Sequence, residues 1–148
     1  MPPKPFTLDS VLKFRKRQEN LAQEKFIQAK IAAEKAQLAL QSAKQETIQL
    51  IATLEDKQKS GIIAQELAQF EDRIQYSRDQ IQRLNNTFNK KQAAVEKKRV
   101  LLLEKSKDHK VLDTLKEHQN RTWKAYLDKK EAAMLDEIAI LHHGRNQL

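Results

Sequence analysis

Four histidines are the first candidates for chemistry in this sequence, because imidazole is the commonest metal ligand and proton carrier in proteins. They are His109, His118, His142 and His143. None stands in the H-E-x-x-H arrangement that holds zinc on a helix, and the chain has no cysteine to complete a metal site. His142-His143 falls near the end of a predicted helix, where imidazolium interacts favourably with the helix dipole. We therefore predict no metal site and no cofactor.

Adjacent carboxylates are the second candidates for chemistry. The pairs are Glu55-Asp56, Glu71-Asp72 and Asp136-Glu137. Such pairs act in catalysis when a water-excluding pocket moves their pKa values apart, and a chain of long helices offers no such pocket. The glycine-rich loops that bind nucleotide phosphates are also absent. We expect no enzyme, no catalytic residue and no small-molecule substrate.

The elements that carry these residues must be helical. All three prolines lie within the first five residues, and the two glycines are Gly61 and Gly144, whereas sheet folds need turn residues about every ten positions. With 5% aromatic residues, 32% charged residues and a mean hydropathy of −0.77, the 148 residues favour a narrow apolar seam over an ordinary core. We find neither an apolar run of about 18–20 residues nor a secretory signal, so we expect a cytoplasmic protein.

The breaks in the sequence predict two helices within a single domain, residues 1–148. Helix one is expected at about 8–59, a hinge at about 60–61, and helix two at about 62–142. Gly61 can adopt the left-handed conformation that ends a helix. Thr7 is the predicted N-cap, with Phe6 and Val11 spaced as a hydrophobic staple, and residues 1–6 are expected to be a disordered lead.

An apolar seam with heptad spacing runs along each predicted helix. In helix one the seam is Ala22, Phe26, Ala29, Ala33, Ala36, Leu40, Ala43, Thr47, Leu50 and Leu54; it extends back to Leu8 and Leu12, with Arg15 and Glu19 as polar interruptions. In helix two the spine is Leu67, Ile74, Ile81, Phe88, Val95, Leu102 and His109. The positions between these residues are apolar at Phe70 and Leu84, but later ones are Lys91, Lys98 and Lys105, which weaken that half of the seam.

The two seams align if the chain folds back at its hinge. Antiparallel partners then have numbers that sum to about 121. The predicted pairs are Leu54 with Leu67, Thr47 with Ile74, Leu40 with Ile81, Ala33 with Phe88, and Phe26 with Val95. The sequence thus predicts an all-α, antiparallel two-helix coiled-coil hairpin with a longer second helix, monomeric when alone.

Two sets of apolar residues lie outside this seam. Helix two continues past about Lys116 with little of helix one left to pair with; its apolar residues there are Trp123, Tyr126, Leu127, Met134, Leu135, Ile138, Ile140 and Leu141. An overhang that is apolar on several sides predicts a partner, although the N-terminal segment or a second copy could also cover it. On helix one, Ile27, Ile31, Leu38 and Ile48 form either a second contact face or scattered surface residues.

The net charge of +8 is concentrated in residues 90–130, which hold 13 basic and 6 acidic residues. Asn89, Ala93 and Ala94 come near the pattern of a bZIP basic region but are one step out of register, and stacking aromatics are missing. The stretch therefore favours a solvated basic face or an acidic protein partner over nucleic acid.

The chain resembles the flagellar type III export protein family FliJ, and its virulence-system counterparts in the YscO group. The resemblance is carried by Lys97-Lys98-Arg99, Asp108-His109-Lys110-Val111-Leu112 with Leu115-Lys116, Tyr126, and Leu135-Asp136-Glu137-Ile138-Ala139. It covers nearly the whole chain. It does not distinguish the flagellar from the virulence system.

The resemblance implies a non-enzymatic, stalk-like coiled coil whose open end enters the hexameric export ATPase. It also implies contacts with the cytoplasmic domain of the export gate and with export chaperones, at the cytoplasmic face of the inner membrane. By position, the candidates for ATPase-ring contact are Trp123, Tyr126, Leu127, Leu135, Asp136, Glu137 and Ile138. One alternative is a structural or scaffold coiled coil that acts as a homodimer. A second, which the residues favour less, is a basic nucleic-acid-binding helix.

Overall fold

Two long helices make up the fold. The computed structural model describes residues 6–146, with α1 at Asp9–Ser60 (52 residues) and α2 at Ala64–Asn146 (83 residues). The helices pack against each other in antiparallel fashion, and there is no strand between residues 6 and 146. The predicted all-α two-helix hairpin is confirmed.

Gly61 ends α1, as its conformational freedom predicts. Its φ is +99°, a value that L side chains rarely adopt. The link runs over residues 61–63, so α2 begins later than the predicted residue 62. Ile62 packs against the buried cluster beside the link, and the first backbone hydrogen bond of α2 runs from Leu67 N to Ile63 O at 3.0 Å.

The outer ends of both helices differ from the prediction. Leu12 N donates to Leu8 O at 2.9 Å, so Leu8 occupies the cap position expected for Thr7. Phe6 is buried against Leu12, whereas Val11 is exposed, so the Phe6–Val11 staple is wrong.

The expected disordered lead is wrong for Phe6, and residues 1–5 lie outside the described residues. At the other end α2 continues beyond residue 142 through Gly144 to Asn146. A glycine permits a helix end but does not impose one.

The chain divides into two compact units, and each unit contains a segment of α1 and a segment of α2. Unit 1 comprises residues 1–20 and 104–148, and unit 2 is Leu21–Leu103. In unit 2 all ten predicted seam positions of α1 are buried or half-buried, which confirms the seam. The spine of α2 is buried at Ile74 and half-buried at its other positions in this unit. Of the intermediate positions in this unit, Phe70 is buried, Leu84 and Lys98 are half-buried, and Lys91 is exposed.

The register of unit 2 is displaced from the predicted one by about one helical turn. Leu54 forms its buried cluster with Phe70 and Ile74, and the predicted partner Leu67 is half-buried and packs against this cluster. Ala33, predicted opposite Phe88, lines a surface hollow with Val95.

Candidate protein-binding site

Unit 1 joins its parts of α1 and α2 through a small apolar cluster and several polar contacts. Phe6, Leu12 and Leu112 form the cluster. Lys116 Nζ lies 3.1 Å from Asp9 Oδ1, and His109 Nδ1 lies 3.3 Å from Glu19 Oε2. These contacts mark the last part of α2 that faces α1 among the described residues.

The polar interruptions of the α1 seam are each paired with a group on α2. Arg15 Nη1 donates to the carbonyl oxygen of Asp108 at 2.9 Å, and Glu19 meets His109, which the heptad pattern had placed on the seam. Sequence reasoning found Arg15, Glu19 and His109 as seam positions but missed their partners. It also missed Asp9, whose only sequence signal was its place in the first turn of α1.

Two carboxylates of unit 1 have shifted pKa values. The hydrogen bond from Lys116 is the main cause that holds the pKa of Asp9 below its ordinary 3.8, with a second from Lys13. Burial raises the pKa of Glu19, but the hydrogen bond from Lys16 and the charges of Lys16 and His109 outweigh it, so that the net pKa lies below 4.5. Both carboxylates are therefore held in their charged form.

Beyond Lys116, α2 loses its cover by steps. We call residues 117–145 the terminal segment. Gln119, Trp123 and Leu127 are half-buried, and every residue from 128 to 145 is exposed. The Trp123 and Tyr126 rings stack with centroids 5.4 Å apart and line a surface hollow of about 600 Å³.

The exposed apolar residues of the terminal segment are large and numerous. They are 53–71% exposed: Tyr126, Met134, Leu135, Ile138, Ile140 and Leu141. At 100° per residue, Leu135 and Ile138 share one face and Ile140 lies on nearly the opposite one. Such a segment offers a partner apolar contacts on more than one side.

The seven predicted ring-contact residues fall into two groups along the terminal segment. Trp123, Tyr126 and Leu127 form one group, and residues 135–138 form the other, about two helical turns further on. Asp136 and Glu137 are exposed, like the rest of that group. The structure does not bring the two groups together, so a partner contacting all seven must follow the helix.

The second predicted contact face lies in unit 2. Ile27, Ile31, Leu38 and Ile48 are all exposed on α1. None belongs to the buried seam.

Metal binding and membrane crossing are the two other kinds of site that residues 6–146 could carry. No group of three or more His, Asp or Glu side chains there is placed to hold a metal ion. Neither helix, over the same residues, combines the length and apolar character that crossing a bilayer requires.

Comparison with known proteins identifies the kind of protein that carries this terminal segment. The family model described as flagellar FliJ protein matches residues 4–148. The chain belongs to the FliJ family. No curated protein and no solved structure shows significant similarity to it. FliJ-family membership makes the chain a component of the flagellar export apparatus, in a family of structural, non-enzymatic export proteins.

Proposed function

We propose that this FliJ-family protein is the stalk of the export ATPase, with its terminal segment as the part that enters the hexameric ring. The observation that carries the proposal is the exposure of large apolar side chains on several faces of residues 126–141. A helix that is apolar on opposite faces suits a surrounding partner, since a ring lumen contacts a central helix from all sides.

The proposal assigns binding, and not catalysis, to this protein. Its partners are the export ATPase, the cytoplasmic domain of the export gate and the export chaperones, and its place is the cytoplasmic face of the inner membrane. Family membership supports this set of partners. The basic residues between 90 and 130 favour acidic surfaces among them, because opposite charges speed encounter and align the complex.

Binding to the purified export ATPase tests the assignment. The double variant Leu135→Gln with Ile138→Gln replaces two aliphatic side chains, which are 60% and 59% exposed, with polar ones. Glutamine is a good helix former, so the helix itself should be kept. We expect roughly tenfold weaker binding or more, since 1.4 kcal/mol corresponds to a factor of ten. The matched control is Ile31→Gln with Leu38→Gln, which makes the same change on α1.

The result expected is stimulation of ATP hydrolysis by the wild type and the α1 control, with loss in the terminal-segment variant. Equal binding by all three proteins would show that the terminal segment is not the contact. A wild-type chain that neither binds the ATPase nor changes its activity would exclude the stalk function. Sedimentation as a stable dimer would instead support the scaffold alternative.

A further inference from the structure

A second row of heptad-spaced residues runs along α1 in unit 2, on the side turned away from the seam. We call it the outer stripe. Its nine positions, separated by steps of three and four, are Glu24, Ile27, Ile31, Glu34, Leu38, Gln41, Gln45, Ile48 and Ala52. All nine are exposed. A helix that repeats the 3-4 spacing on two faces can pair with two helices at once.

The apolar residues of the outer stripe are large, and most of them lie close together in its N-terminal half. Ile27, Ile31, Leu38 and Ile48 are 47–67% exposed. Three of them lie within four turns of helix, and only Glu34 interrupts them. Single exposed apolar residues are common, but a row at coiled-coil spacing indicates a binding face.

The charged residues that border the outer stripe are all basic. The positions on its two sides are Gln23, Gln28, Lys30, Lys35, Gln37, Ser42, Lys44 and Gln49, which include three lysines and no carboxylate. Among the ion pairs of residues 6–146, none involves these lysines. In a coiled coil such bordering positions choose the partner by charge.

A second copy of the chain fits this stripe poorly. Two outer stripes packed against each other in antiparallel fashion bring lysines such as Lys30 and Lys44 to the same border, and a parallel arrangement does no better. Like charges at these positions oppose pairing. Glu34 would face another uncompensated carboxylate or an apolar residue, at further cost.

We propose that the outer stripe binds an amphipathic helix of another protein, with Asp or Glu along both borders of its apolar face. That helix carries one Lys or Arg within its apolar face, opposite Glu34, because a carboxylate buried without a partner is costly. The acidic borders pair with Lys30, Lys35 and Lys44. This interaction lies in unit 2 and does not depend on the assignment of the terminal segment.

Labelled synthetic helices test the proposal with the full-length chain. The acidic probe has about four heptads, with Leu and Ile on one face, a single central Arg on that face, and Glu at both borders. The basic probe differs only in Lys for Glu at the borders. Repulsion among like borders keeps each probe monomeric. Fluorescence anisotropy at low salt measures binding.

We expect the acidic probe to bind at least roughly tenfold more tightly than the basic probe, with the difference falling in salt. Ile31→Gln with Leu38→Gln weakens the acidic probe about tenfold or more, and Lys35→Glu with Lys44→Glu reverses the preference. Leu135→Gln with Ile138→Gln, in the terminal segment, leaves binding unchanged.

Equal binding of both probes would overturn the proposal, as would unchanged binding by the Ile31→Gln, Leu38→Gln variant. So would a dimer in sedimentation that this variant abolishes, because the stripe would then belong to a second copy. Loss of probe binding in the terminal-segment variant alone would place the site on α2 and also refute it. The probe-binding results leave the ATPase test unchanged, whereas a dimer would also support the scaffold alternative to the stalk function.

Discussion

Replacing Phe70 with alanine tests the packing that closes unit 2 beside the link. Phe70 is 7% exposed and forms the buried cluster with Leu54 and Ile74. Two cations also lie over its ring, with Lys57 Nζ at 5.1 Å and Arg73 Cζ at 5.6 Å from the ring centroid. The variant therefore removes an apolar contact and two cation–π contacts together.

The expected cost follows from these contacts. Phe→Ala at a buried position costs about 3–5 kcal/mol, because both the transfer free energy and the cavity left behind count. Alanine is the better helix former by about 0.5 kcal/mol, which offsets part of the loss. We expect the free energy of local unfolding in unit 2 to fall by about 3 kcal/mol.

Hydrogen exchange at the amides of Leu54 and Ile74 measures that free energy, and urea unfolding followed by circular dichroism gives the global value. The matched control is Tyr76→Ala, an aromatic-to-alanine change on the same helix at a residue that is 62% exposed. It should cost less than about 1 kcal/mol. Equal losses in the two variants, or a loss under about 1 kcal/mol for Phe70→Ala, would refute the packing argument.

Three further changes test other contacts. Asp9→Asn should lower the urea midpoint of unit 1 at neutral pH, because it removes the charge that pairs with Lys116. The hydrogen bond from Lys116 holds the folded pKa of Asp9 below 3.8. The stabilisation by the Asp9 carboxylate is therefore complete above pH 3.8 and is lost as the pH falls through the folded pKa. A difference between the two proteins that persists in acid would contradict this account. Gly61→Ala should lower the free energy of unfolding by about 1–2 kcal/mol, measured by thermal unfolding. The cause is the φ of +99° alone, since an added Cβ meets nothing within 4 Å. The control Gly144→Ala, inside α2, should not lower the stability. Thr47→Val should keep or raise the melting temperature, because the Thr47 hydroxyl is buried but bonds only within its own helix, at 2.9 Å.

The faces of the helices could be predicted from the sequence, and their alignment could not. Heptad spacing determines which side of a helix is apolar, so Ala33, Leu40 and Thr47 were correctly assigned to the seam. It does not determine the offset between two seams, because a shift of a turn still brings apolar residues together. The offset depends on the fit of individual side chains, such as Phe70 beside Leu54.

The polar contacts of unit 1 depend on that offset and were missed for the same reason. Glu19 and His109 were each recognised as seam positions, but only the real register brings them within 3.3 Å. For the candidate site, the stretch beyond Lys116 could be located from the sequence because α2 is longer than α1, and its excess length has no part of α1 to pack against. Which of its residues a partner contacts stays a prediction, since that depends on the partner's surface.

The three-residue link has a consequence for how the chain folds. The ion pair between Lys57 and Glu66 joins residues 9 apart, whereas that between Asp9 and Lys116 joins residues 107 apart. Closing the longer loop from the unfolded chain costs about 2 kcal/mol more in entropy. Pairing of the helices should therefore start next to Gly61 and proceed outward, and the contacts next to the terminal segment should form last.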